Sequence, residues 1–148
     1  MIEYFEDIKL NSIWKSTPYP VTEKEIIHFA TEWNPRAMHM DTSVAEKTEM
    51  KGLIAAGAHL ICITAKILPL KEPSTAIVAA LSMDNCKFMN PARPGDVLIL
   101  ESEVLSKRES QSRPTVGIVT CAIKLVNQRN ETVIRYESTS LVGRKPKQ

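Results

Sequence analysis

The chain is poor in the residues from which several kinds of site are built. Its three cysteines, Cys62, Cys86 and Cys121, are far apart and form no C-x-x-C pair. That excludes a thioredoxin-like redox motif and gives no disulfide framework. Each lies in an apolar stretch, so buried free thiols in a reducing cytoplasm are expected. There is no zinc ligand set, and the five glycines make no phosphate-binding loop. Net charge is only +2, from 19 basic and 17 acidic residues. Such a balance gives no electrostatic ground for nucleic acid or an anionic membrane as partner. The start, MIEYFEDIKL, lacks a basic segment followed by a long apolar one, so no signal peptide is visible. The longest apolar run, Leu53 to Leu68, is slightly short for a bilayer span and contains His59 and Lys66.

What is present is an ordinary globular composition. With 148 residues, 43% of them hydrophobic and 24% charged, the chain is expected to be one domain over 1–148 with a real core. The run LIAAGAHLICITAKIL, Leu53 to Leu68, follows Gly52 and stops at Pro69. It predicts one long helix, apolar on nearly every side and therefore covered on nearly every side. Upstream, Thr22 and Glu25 make a capping box for a first helix. Ile26, Phe29, Ala30 and Trp33 form its apolar stripe, with Glu25, His28 and Glu32 opposite. This helix should end near Trp33, because Asn34 precedes Pro35. Asn34 to Met40 then reads as a loop, and Asp41 as the cap of a short helix to about Lys47.

The other segments read as strands. Ser12 to Tyr19 predicts a first strand, which Pro18 and Pro20 confine to an edge or an end. Thr75–Met89, Val97–Lys107, Thr115–Val126 and Thr132–Val142 follow, separated by turn chemistry at Pro91–Asp96 and Asn127–Asn130. The order of strand, helices and then about four strands is an α+β pattern, not βαβ alternation. A long helix wrapped by a curved antiparallel sheet is the simplest architecture. Arg144, Lys145 and Lys147 read as a solvated basic tail.

Chemistry can be sought among the three histidines. His28 reads as a surface residue, and His59 as a packed one bonded to a sheet carbonyl. His39 lies between two helices, where catalytic groups are often held, although a His bonded merely to nearby backbone would look the same. The small residues Gly52-Leu53-Ile54-Ala55-Ala56-Gly57-Ala58 leave backbone N–H groups reachable at a helix start, where they can polarise a carbonyl. Close packing of helix on sheet accounts for them equally well.

Three segments together resemble a family: Trp33-Asn34-Pro35-Arg36-Ala37-Met38-His39-Met40-Asp41, then Gly52 to His59, then Arg93-Pro94-Gly95-Asp96. They are similar to the MaoC-like dehydratases, which include the (R)-specific enoyl-CoA hydratases of the hotdog fold. The resemblance runs from about Tyr4 to Arg144. It implies an α+β hotdog fold, a homodimer whose sheets join edge to edge, and addition of water across C2=C3 of an enoyl-thioester. It implies no cofactor, with acyl-CoA or a similar thioester as substrate. The family uses an Asp and a His spaced D-x-x-x-x-H, with a backbone N–H at the start of the central helix stabilising the enolate oxygen. Carried over, the His is His39, the oxyanion donor is Gly57, and the Asp position holds Asn34. A neutral amide orients water or imidazole but does not accept a proton. Asn34 therefore opens the alternative of a binding protein with reduced or no activity. A thioesterase is a third alternative, since the wider hotdog fold hosts hydrolysis too. Asp41 and Glu32 are weak substitutes for the missing acid, the first being a cap. Arg36, Lys87, Arg93 and Arg113 are expected to be solvated, without a recognisable CoA phosphate site.

Overall fold

The computed structural model describes residues 1–147. Its main sheet contains β2 (Ile13–Lys15), β5 (Ile77–Phe88), β6 (Val97–Glu109), β7 (Val116–Val126) and β8 (Thr132–Gly143). Their order is β2-β6-β7-β8-β5, and β3 (Tyr19–Pro20) also pairs with β6. Every pairing in this sheet is antiparallel. Separately, β1 (Ile2–Glu3) and β4 (Ser74–Thr75) make a two-residue parallel ladder. The predicted first strand is thus two short pieces, both on the edge of β6 as the prolines require. The four long strands lie within two residues of their expected bounds.

Between β3 and β4 lie four helices: α1 (Glu23–Trp33), α2 (Ala37–Met40), α3 (Thr42–Ala45) and α4 (Gly57–Ile67), the last continued by a 3₁₀ turn over Leu68–Leu70. The long helix is shorter at its front than the apolar run suggests. Leu53–Ala56 is buried but not helical. Gly52 sits at φ +152°, and the Ala55 N–H bonds to the Ala92 carbonyl. These backbone groups have found partners outside a helix, so the helix begins only where extended Ala56 ends. Pro69 does not stop the chain from coiling, since near the start of the 3₁₀ turn its missing N–H costs nothing.

Helix α4 buries His59, Leu60, Ile63, Thr64 and Ile67, and packs against the concave face of the sheet. There Leu60, Ile63 and Ile67 join Leu98, Leu100, Ile123, Leu125, Ile134 and Tyr136 in one cluster. The Thr64 and Tyr136 hydroxyls bond at 2.7 Å, which satisfies both inside the core. Burial holds the Tyr136 phenol above its ordinary pKa. The helix is not covered all round: Ala58, Cys62, Ala65 and Lys66 are exposed in the single chain. Cys62 is therefore a surface thiol, while Cys86 and Cys121 are half-buried, so the expectation of three buried thiols is corrected. All three are free, and desolvation raises the Cys121 thiol pKa.

A smaller cluster of Phe5, Ile8, Val119 and Val142 seals the sheet beside the N-terminus. The basic tail serves that end and is not simply solvated. Arg144 pairs with Glu6 and Glu109, and Lys145 with Asp7. No helix among the described residues is long and apolar enough to cross a membrane.

Candidate functional site

The site is assembled from the end of α1, the short helix α2 and the segment that enters α4. Thr22 caps α1 by accepting the Glu25 N–H at 3.1 Å, an interaction of about 1 kcal/mol in typical proteins. Only half of the expected capping box forms, because the Glu25 carboxylate turns towards α4 instead. Ile26 and Ala30 bury the inner stripe of α1, while Trp33 stays 75% exposed. Asn34 closes the helix with its N–H on the Ala30 carbonyl at 2.9 Å, and its own carbonyl accepts the Arg36 N–H at 2.7 Å. The Asn34 residue is half-buried.

His39 is not on an irregular loop, as the sequence suggested, but on the single turn of α2. Its ring is buried, with Nδ1 2.8 Å from the Ile54 carbonyl oxygen. A carbonyl only accepts, so Nδ1 carries the hydrogen. The Nε2 lone pair of the neutral ring is then left for chemistry. Asp41 follows and caps α3 from its side chain, accepting from the Ser43 hydroxyl and from the Ser43 and Val44 N–H groups. The hydroxyl bond and then the backbone bonds hold its carboxyl below the usual range. Asp41 is thus committed to structure, and Glu32 is exposed on α1.

Gly57 is the first residue of α4. Its N–H belongs to the first turn, where a helix offers no internal acceptor, and it donates to no acceptor among the described residues. The His39 tether lands on Ile54, three residues before Gly57, so α2 and the start of α4 are brought together. A side chain at Gly57 would crowd Phe88: an added Cβ would lie 2.9 Å from the ring's Cε1 and 3.0 Å from Cζ. Phe88, at the end of edge strand β5, thus lies beside the start of α4, and no local sequence signal marks this proximity.

His59 departs from expectation. Its Nε2 lies 3.3 Å from Glu25 Oε1, not against a sheet carbonyl, and its ring stacks on Phe29 at 4.6 Å. Its Nδ1 is buried without a partner. Tyr19 donates to the same Glu25 oxygen at 2.5 Å. Burial first, and then this bond to a carboxylate, raise the Tyr19 pKa well above that of a free phenol. His28 is exposed, as expected.

Of the possible phosphate-binding cations, Arg93 is committed to the Met50 carbonyl and so ties down the segment before α4. Arg36, Lys87 and Arg113 are exposed. A hollow of about 510 Å³ lies on the outer face of the sheet, among Lys87, Glu101, Lys124 and Arg135, away from His39. A smaller one of about 190 Å³ lies between α1 and α4, bounded by Phe29, Trp33, His59 and Cys62. No group of three or more metal-ligating side chains occurs among the described residues.

Residues 11–126 match the family described as "MaoC like domain". The solved structure of a MaoC-like dehydratase from Rhodospirillum rubrum is 32% identical, with a TM-score of 0.87 over 98% of this chain and 99% of that one. A structure described as a monoamine oxidase regulatory protein from Archaeoglobus is 26% identical, also at 0.87, over 97% of this chain and 96% of its own. The Bacillus subtilis protein YdeM is 28% identical over 94% of this chain and 98% of its own length. With the family match spanning most of the chain and the sheet-wrapped helix in place, this protein belongs to the MaoC-like dehydratase family of hotdog-fold proteins.

Proposed function

We propose that this protein adds water to, or removes it from, the C2–C3 bond of an acyl-thioester. In this reading the thioester carbonyl rests at the start of α4, where the Gly57 N–H stabilises the enolate oxygen as charge develops. Nε2 of His39 exchanges a proton with the water or with the C2 position. Asn34 orients the water through its amide. The observation that carries the reading is the His39–Ile54 bond, which fixes the tautomer and tethers α2 beside a free helix N-terminus. Similarity to the R. rubrum structure, described as a MaoC-like dehydratase, supports it.

Asn34 favours a second reading, an acyl-thioester-binding protein with reduced activity or none, since general acid–base help is typically worth about 10²–10⁴-fold. One assay separates these. Purified protein is mixed with crotonyl-CoA and with longer and branched enoyl-CoAs. Loss of the conjugated thioester's absorbance without free thiol means hydration. Thiol release means hydrolysis. Binding with neither supports the second reading.

We also propose a homodimer in a reducing cytoplasm, in keeping with the free cysteines. Strand β5 is the sheet's edge, and it exposes Ile77, Val78, Leu81, Met83 and Phe88. A long apolar edge gains by pairing with a second copy. Sedimentation equilibrium tests this, and a monomer at micromolar concentration refutes it.

A further inference from the structure

The proposed reaction leaves the buried imidazole of His59 unused. His59 is 2% exposed, stacked on Phe29 from α1, with Nε2 3.3 Å from Glu25 Oε1. That same oxygen accepts the Tyr19 hydroxyl. Glu25 lies in the first turn of α1 and His59 in the first turn of α4. The far end of α1 is Asn34; then comes α2 with His39, which is tied to Ile54 ahead of α4. The chain therefore forms a closed circuit held by two side-chain tethers. Both reach the start of α4, one on each side of Gly57: His39, beyond the far end of α1, binds Ile54, and Glu25, at the near end of α1, binds His59. The start of α1 is also bound to α3, by the Thr42 hydroxyl donating to Glu23 at 3.0 Å.

We propose that Glu25 and His59 are a positioning pair: they set α1 against α4 and so fix Asn34 and His39 relative to the Gly57 N–H. This rests on the hydratase reading for its effect on turnover, though not for its effect on geometry. Neither residue is given a chemical step in that reading. What matters is where Oε1 sits, because this single oxygen receives both the imidazole and the phenol. A shift of about 1 Å in a reacting group costs on the order of 10²-fold in rate.

The test uses two conservative variants. Glu25→Gln keeps an acceptor oxygen at the same reach, and Glu25→Asp keeps the charge but shortens the arm. Asp is tolerated in a first helical turn, so this variant should fold. Glu25→Asp is expected to lower kcat for enoyl-CoA hydration about 10–100-fold, with KM changed by less than about 3-fold. Glu25→Gln is expected to stay within about 3-fold of wild type, because position rather than charge is preserved. Independently of turnover, the Nδ1 proton of His39 is followed in ¹⁵N-histidine-labelled protein. Its solvent exchange should accelerate in Glu25→Asp and not in Glu25→Gln. If Glu25→Asp matches wild type in turnover and in His39 exchange, the pair does not position the site. If Glu25→Gln is damaged as much as Glu25→Asp, charge is the operative property and the proposal is overturned. Should wild type hydrate no enoyl-CoA, the hydratase reading fails, and the His39 exchange rates alone decide the positioning claim.

Discussion

Gly57→Ala should separate the site from the fold. The new methyl carbon would lie 2.9 Å from Cε1 of Phe88. Ordinary carbon–carbon contact begins near 3.5 Å, so the ring edge must retreat by about 0.6 Å. In the single chain it has room to do so, since Phe88 is 56% exposed and ends an edge strand. Gly57 does not use a left-handed φ, so the backbone accepts alanine without strain. Alanine also gains up to about 1 kcal/mol in helix propensity, less at a first position. The net change in stability should stay within about 1 kcal/mol, or roughly 2–4 °C in Tm for a chain of this size. Turnover should respond quite differently. The methyl group and the displaced ring both lie where the thioester must approach the Gly57 N–H. Loss of one oxyanion donor costs about 10²–10³-fold in kcat. Thermal melts and an absorbance assay on enoyl-CoA measure the two effects in one preparation. Unchanged kcat would mean that the Gly57 N–H does not serve the oxyanion. A fall in Tm beyond about 10 °C would mean that Phe88 cannot yield, and that the contact belongs to the core.

Other outcomes follow from the same geometry. Asn34→Asp, nearly isosteric, should raise hydratase kcat by anything up to about 10²–10⁴-fold, and His39→Ala should abolish activity in either background; a fully active wild type that Asn34→Asp does not improve would make the amide the working group. Gly117→Ala would drive a methyl into the Phe5 ring; expelling that buried ring should cost about 3–5 kcal/mol by urea titration, and in a Phe5→Ala background much of the penalty should vanish. The Glu101 carboxyl is held below its usual pKa by hydrogen bonds from Lys124 and then Lys15. Its contribution is therefore full above the ordinary carboxylate range and is lost as pH falls through the lowered folded value; Glu101→Gln should flatten the acid side of a pH–stability curve below about pH 5, and an unchanged curve would show that the pairs add nothing.

The sequence by itself determined the elements whose cause is local. Alternation and turn chemistry delimit β6, β7 and β8, because a strand's two faces and its ends are written in neighbouring residues. Thr22 marks the start of α1, Pro35 its end, and Asp41 the cap of α3, for similarly short-range reasons. The order of Asn34, His39 and Gly57 was legible for a different reason: three spaced motifs resembled a family. Tertiary structure decided the rest. Leu53–Ala56 looks helical by composition, yet its backbone is bonded to Ala92 and to the His39 ring, partners 37 and 15 residues from Ala55 and Ile54. The partner of His59 is Glu25, 34 residues away, so a carboxylate read as part of a capping box becomes a link between helices. Phe88 meets Gly57 only because the curved sheet returns β5 to the start of α4. Each of these depends on which distant groups the fold brings within a few ångströms, and no local periodicity encodes that.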